Sequence, residues 1–192
     1  VPRASHSVHL LVDGYNIIGA WPELLPDGHD RTFFDTRPLD LEAAREKLIA
    51  ALANFSAFEG YLTQIVFDAH SRDEPAYEEL IGTNLSVYYT EFRETADTYI
   101  ERFCANFRAE AKLKRARSIV ATNDRILQQT ITGFGAEWLS ARQLIDLIEK
   151  SSRQTRRLQS QPKSSSRFLF DSLDPAAKAH LTALRFGRKP DT

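Results

Sequence analysis

Leu10-Leu11-Val12-Asp13-Gly14-Tyr15-Asn16 decides how this chain is read: an apolar run that begins at Val8 stops abruptly at an Asp-Gly pair. A short continuous apolar run bounded by turn residues marks a strand buried on both faces, the kind that builds parallel sheets. The same punctuation recurs twice. Leu62 to Phe67 runs into Asp68-Ala69-His70, and Ser118 to Ala121 runs into Thr122-Asn123-Asp124. In an open parallel sheet the crevice lies beyond the carboxyl ends of the strands, so acids placed there converge although they are far apart in sequence.

Helical patterns fill the intervals. Tyr15 to Ala20 begins a helix or turn, and Trp21-Pro22 with the stretch from Pro26 to Pro38 reads as a loop bordering the crevice. From Asp40, a candidate N-cap, Leu41, Ala44, Leu48, Ala51, Leu52 and Phe55 fall on one helix face, and Gly60 ends the pattern. Leu85 to Tyr89 has strand composition, and Thr95-Ala96-Asp97 opens a long helix through Ile100, Phe103, Phe107 and Leu113. Arg125 to Thr132 is a further helix stopped by Gly133-Phe134-Gly135, and Ala136 to Leu139 is a strand. Ser140 then caps a helix running from Ala141 to about Leu158. This alternation predicts an α/β sandwich of three layers, with a central parallel sheet of about five strands and helices on both faces.

Beyond it, Ser160 to Ser166 is a serine-rich linker, and Asp174-Pro175 opens a short helix carrying Leu181, Leu184 and Phe186. The expected organisation is a leading remnant over 1–7, an α/β domain over 8–158, and a linker with a helical extension over 159–192. Methionine is absent even at position 1, so the chain is expected to be trimmed, Val1 to His6 resembling what a cleaved tag leaves. A processed organellar precursor is the competing reading.

Composition narrows the classes. The chain has 192 residues, 42% hydrophobic, enough for one globular domain with an appendage. Its single cysteine, Cys104, gives no disulfide partner and no zinc pattern, which fits a reducing compartment, and sits as a core thiol on a helix face. No apolar run approaches the roughly 20 residues that cross a bilayer, so no membrane partner is expected. The formal net charge of -1 hides an asymmetry. Basic residues gather late, as Arg108, Lys112, Lys114, Arg115 and Arg117, then as Lys150, Arg153, Arg156, Arg157, Lys163 and Arg167. Each set suits either a solvated helix face or a phosphate backbone, and the second, which runs into the linker, reads as an RNA or ribosome contact.

The acids carry the chemistry. Asp13, Asp68 and Asp124 stand at strand ends, and Asp97 lies in the first turn of a helix, where negative charge also complements the dipole. Turn formation at Asp13 and N-capping at Asp124 are the structural alternatives. Four carboxylates without a cation repel strongly, so their gathering predicts bound Mg²⁺ or Mn²⁺, hard ions that take oxygen ligands and serve phosphodiester hydrolysis. Glu94, one turn before Asp97, is a weaker candidate, and His70 is either structural or a general acid. Asn16 is an outer support. Ser140 and Arg142 open the last helix, where an amide end and a guanidinium suit a phosphate, with plain capping as the alternative for Ser140. A haloacid-type phosphatase, which also starts with Asp after a strand, needs a second Asp two residues on, where this chain has Tyr15.

Taken together, Asp13-Gly14-Tyr15-Asn16 with Gly19-Ala20-Trp21-Pro22, Phe67-Asp68-Ala69-His70, Glu94-Thr95-Ala96-Asp97, Thr122-Asn123-Asp124 and Ser140-Ala141-Arg142 resemble the YacP-like branch of the NYN-domain nucleases, relatives of PIN domains. The resemblance spans about residues 8 to 158; the loop from Pro26 to Pro38 is long for the pattern, and the tail after Ser160 has no counterpart in it. It implies a Mg²⁺-dependent endoribonuclease with its acids on Asp13, Asp68, Asp97 and Asp124. For this branch it implies an enzyme of the bacterial cytoplasm, with the plastid stroma as alternative, that associates with the ribosome and cuts mRNA in the A site during translation. The rival reading is a non-catalytic RNA- or ribosome-binding adaptor that keeps a relic acidic pocket.

Overall fold

The computed structural model describes residues 7–25, 38–68, 75–114, 116–160 and 174. Six strands form one sheet: β1 (Val8–Asp13), β2 (Leu62–Phe67), β3 (Tyr77–Leu80), β4 (Leu85–Tyr89), β5 (Arg117–Ala121) and β6 (Glu137–Leu139). The helices are α1 (Gly14–Ala20), α2 (Pro38–Glu59), α3 (Ala96–Lys114), α4 (Arg125–Gly133) and α5 (Ala141–Ser160), with a 3-10 turn at Pro22–Leu24. The strand order is β3-β4-β2-β1-β5-β6, parallel throughout except for β3, which runs antiparallel to β4.

Side-chain alternation along the strands builds two cores. Leu10, Val12, Ile65, Phe67 and Val87 face α1, α2 and α5, packing on Ile17, Leu48, Leu52, Phe55, Leu144 and Ile148. Leu11, Val66 and Val120 face α3 and α4, packing on Ile100, Cys104, Leu127 and Ile131. β1, β2 and β5 therefore bury both faces, which is why their sequences are largely apolar. Cys104 lies within the second core, and burial pushes its thiol up to about 11.

β3 escaped the sequence reading. Tyr77-Glu78-Glu79-Leu80 is exposed at every position, so no burial pattern marks it, and its central carboxylates guard a free sheet edge. α2 begins at Pro38 rather than after Asp40, so Asp40 lies in its first turn and proline takes the position where a missing N–H costs nothing.

The order reverses at β1: β2 and β4 extend the sheet to one side, β5 and β6 to the other. Such a reversal opens a crevice at the carboxyl ends of the strands. Asp13 ends β1 opposite Val66 of β2, and Val12 pairs with Ala121 of β5, so Asp68 and Asp124 follow on either side a few residues beyond.

Candidate active site

Asp13 closes β1 and caps α1. Its Oδ1 accepts the Asn16 amide at 3.4 Å, and its Oδ2 accepts the Thr122 hydroxyl at 2.9 Å. Gly14 is what lets the chain turn beneath it, because a Cβ there would lie 2.8 Å from Cζ of the Phe67 ring and nearer still to two more of its carbons. The carboxylate is only 7% exposed. Burial is the largest influence on it and pushes its pKa from the ordinary 3.8 up to about 7; the Thr122 bond opposes the rise, the Asp97 charge adds to it, the Asn16 amide opposes it, and Asp68 adds again.

Asp97 occupies the first turn of α3, exposed at the surface, and its pKa is raised by desolvation first and then by Asp124, Asp68 and Glu101. The four aspartates are thus one electrostatic group: Asp13 feels Asp97 and Asp68, and Asp97 feels Asp68 and Asp124. Glu101, one turn after Asp97, joins its edge and was not singled out by sequence, although i, i+4 spacing on a helix was the available signal.

Three of the four acids also hold helix amides. Asp68 Oδ1 accepts the amide of Ala96, the first residue of α3. Asp124 Oδ1 accepts the amides of Ile126 at 2.7 Å and Leu127 at 2.9 Å, capping α4. Asp97 lies inside α3, beyond its cap, which Thr95 supplies by accepting the Thr98 amide at 3.2 Å.

A second layer ties these elements together. Asn16 Oδ1 accepts the Asn123 amide at 2.8 Å, and Asn123 Oδ1 accepts the amide of Ala141, the start of α5, at 3.0 Å. Thr122 Oγ1 also accepts the Asp124 amide at 3.1 Å, while its carbonyl accepts Trp138 Nε1 at 2.8 Å and Gln128 Nε2 at 3.2 Å. On the other flank Arg45 donates to the Tyr15 hydroxyl at 3.2 Å. Trp138 and Arg45 carried no signal in a linear reading, since their partners lie far off in sequence.

The remaining candidates scatter. Ser140 and Gln143 form a reciprocal capping box, Ser140 N donating to Gln143 Oε1 at 2.9 Å and Gln143 N donating to Ser140 Oγ at 3.2 Å. Arg142 pairs with Asp146 at 3.3 Å and Arg153 with Glu149 at 3.4 Å, both in the open. Arg156 and Arg157 are exposed on the last turns of α5. Arg117 is committed to Glu137 through bonds of 2.7 and 2.6 Å, and Glu94 is paired with Arg102. His70, Arg115, Lys163 and Arg167 lie outside the described residues, as do the side chains of Lys112 and Lys114.

The donor set fits a divalent cation in two respects. Carboxylate oxygens are the ligands Mg²⁺ and Mn²⁺ take, and a cation is the counter-charge that would oppose the upward pKa shifts of Asp13 and Asp97. Among the described residues no three acidic, His or Cys side chains are drawn closely around a single point. The fit is therefore one of chemistry and charge.

Comparison with known proteins followed the geometry. The profile of the YacP-like NYN domain matches residues 10–186, a span that takes in the tail beyond Ser160. The chain is 36% identical over 149 residues to the uncharacterized protein YacP of Bacillus subtilis (strain 168), covering 77% of this chain and 79% of that one. It also superposes on the crystal structure of Rae1 (YacP) from Bacillus subtilis with a TM-score of 0.61 at 30% identity, covering 93% of this chain and 94% of that one. A mutant of the same protein gives the same score over 92% and 99% of the two chains.

Proposed function

The chain belongs to the YacP-like NYN family, a PIN-like nuclease family, and from that membership we propose that it is a Mg²⁺- or Mn²⁺-dependent endoribonuclease. Its substrate in this reading is mRNA, cut in the ribosomal A site during translation in a bacterial cytoplasm, as a step in mRNA decay. The observation that carries the proposal is Asp13, buried at the strand-order reversal with Asp97 and Asp68 near enough to raise its pKa, and Asp124 and Asp68 acting likewise on Asp97.

Asp13, Asp68, Asp97 and Asp124 would hold the cation, which when bound supplies a more acidic attacking water and charge stabilisation for the departing 3′-oxygen. The protein's own residues do the rest. Thr122 and the Asn16 amide fix both oxygens of Asp13, so its carboxylate is oriented before substrate arrives. Amide bonds at Ala96, Ile126 and Leu127 hold Asp68 and Asp124 through Oδ1. Such preorganisation lowers the reorganisation required in the transition state. The products in this reading carry a 5′-phosphate and a 3′-hydroxyl.

RNA is held, in the same proposal, by Asn16, Ser140 and Arg142 near the acids and by Arg153, Arg156 and Arg157 along α5. Exposed helix ion pairs are weak, so Arg142 and Arg153 exchange Asp146 and Glu149 for phosphate at little cost. The rival adaptor reading draws on the capping duties of Asp13, Asp68 and Asp124; the place of Asp97 beyond its helix cap speaks against it.

The test is to map new 5′ ends after incubating the protein with a defined mRNA, either bare or carried by translating ribosomes, with Mg²⁺ or EDTA. Metal-dependent cuts confined to translated mRNA support the full proposal. Cuts in bare mRNA alike support the nuclease and remove the ribosome from it, and ribosome binding without cuts favours the adaptor.

A further inference from the structure

Trp138 sits in the edge strand β6 with 46% of its surface exposed, an unusual place for the largest side chain. Its ring is not loose. Nε1 donates to the Thr122 carbonyl at 2.8 Å, past the end of β5, and the hydroxyl of the same Thr122 donates to Asp13 at 2.9 Å. One residue therefore separates the indole from the most buried acid of the candidate site. The polar edge of the ring is satisfied inward, so what it presents to solvent is apolar surface.

We propose that Trp138 is the stacking platform for the base of a nucleotide next to the scissile phosphate of single-stranded RNA. The inference rests on the nuclease reading and names how that site positions its substrate. The alternative use of such a surface, packing on a protein, calls for a contiguous apolar area; what the structure offers is one anchored ring beside a carboxylate cluster. Aromatic rings accept any base face, so the platform contributes affinity with little sequence preference. Parallel strands lie about 4.8 Å apart, which sets β6 roughly 10 Å from β1, and Trp138 lies level with Leu11, two residues before Asp13, so the ring flanks the crevice in which Asp13 ends its strand. Trp138 is thus a positioning residue that acts by orienting RNA.

The test uses the full chain and a labelled single-stranded oligonucleotide in EDTA, comparing wild type, Trp138→Phe and Trp138→Ala. Stacking predicts that Trp138→Ala weakens binding about tenfold or more while Trp138→Phe stays within about threefold of wild type. It also predicts that RNA quenches the indole emission of wild type and that this response disappears in Trp138→Phe, which retains only the buried Trp21. Equal binding by all three proteins would overturn the proposal, as would equal losses in Phe and Ala, which assign the effect to the bond with Thr122. If wild type cleaves RNA in Mg²⁺ while Trp138→Ala binds normally, stacking alone fails. If wild type fails to bind the oligonucleotide yet cuts translated mRNA in Mg²⁺, stacking alone fails; if it cuts neither bare nor translated mRNA, the nuclease reading fails and takes this inference with it.

Discussion

The Thr122 hydroxyl donates to Asp13 Oδ2 at 2.9 Å across 109 residues of chain, joining the end of β1 to the turn after β5 inside a buried environment. That bond fixes the orientation of an acid whose ionisation the surroundings resist. The same oxygen of Thr122 accepts the Asp124 amide, so one side chain supports two members of the cluster.

Thr122→Val keeps shape and removes both bonds. The variant is expected to lose about 1–3 kcal/mol of stability in urea unfolding, because a buried carboxylate and an amide lose partners. With its leading pKa-lowering contact gone, Asp13 titrates higher still, so the Mg²⁺ concentration giving half-maximal cleavage should rise. An unchanged metal requirement would separate Thr122 from the site.

Asp13 gives a pH signature in the metal-free protein. Its folded pKa of about 7 lies above the ordinary 3.8, so the folded form keeps a proton that the unfolded chain releases between those values. Stability from this group therefore falls as pH rises from about 4 to 7 and levels off above, by up to ~4 kcal/mol. Asp13→Asn removes the fall and is more stable than wild type at pH 8, with little difference at pH 4. Added Mg²⁺ should stabilise wild type at pH 8 and have less effect on the variant. Urea unfolding across this range, with and without Mg²⁺, measures all three.

Gly14→Ala tests the turn beneath the acid. The added methyl enters the space of the Phe67 ring, itself fully buried, so either α1 or the ring must move. A loss of about 1–3 kcal/mol is expected, the range for overpacking a core, together with reduced cleavage as Asp13 shifts. A variant as stable and as active as wild type would show that the crevice yields more readily than its packing implies.

Sequence carried the sheet because its strands are apolar runs punctuated by aspartate, and for the same reason it carried the positions of Asp13, Asp68 and Asp124 at the strand ends. β3 was illegible since every side chain of Tyr77–Leu80 faces water. Around the acids Asn16 stood out as a support, but the partners were illegible for another reason: Asp68 caps a helix 28 residues away, and Asn16 meets Asn123 across 107. Contacts of that separation leave no local pattern. Ser140 was the ambiguous case, for the residue types that cap a helix also suit an anion, and only the bonds to Gln143 reveal the capping box.

The most direct test of the central claim is RNA cleavage by Asp97→Asn beside wild type, each in Mg²⁺ and in EDTA, with unfolding curves to confirm the fold. Asp97 is the informative choice because the other three acids also hold helix amides, so losing them mixes structure with chemistry. The account predicts Mg²⁺-dependent cleavage by wild type and a loss of about a hundredfold or more in the variant, with stability unchanged or raised by relief of like charge. Cleavage by Asp97→Asn at the wild-type rate, or wild-type cleavage indifferent to EDTA, would contradict it.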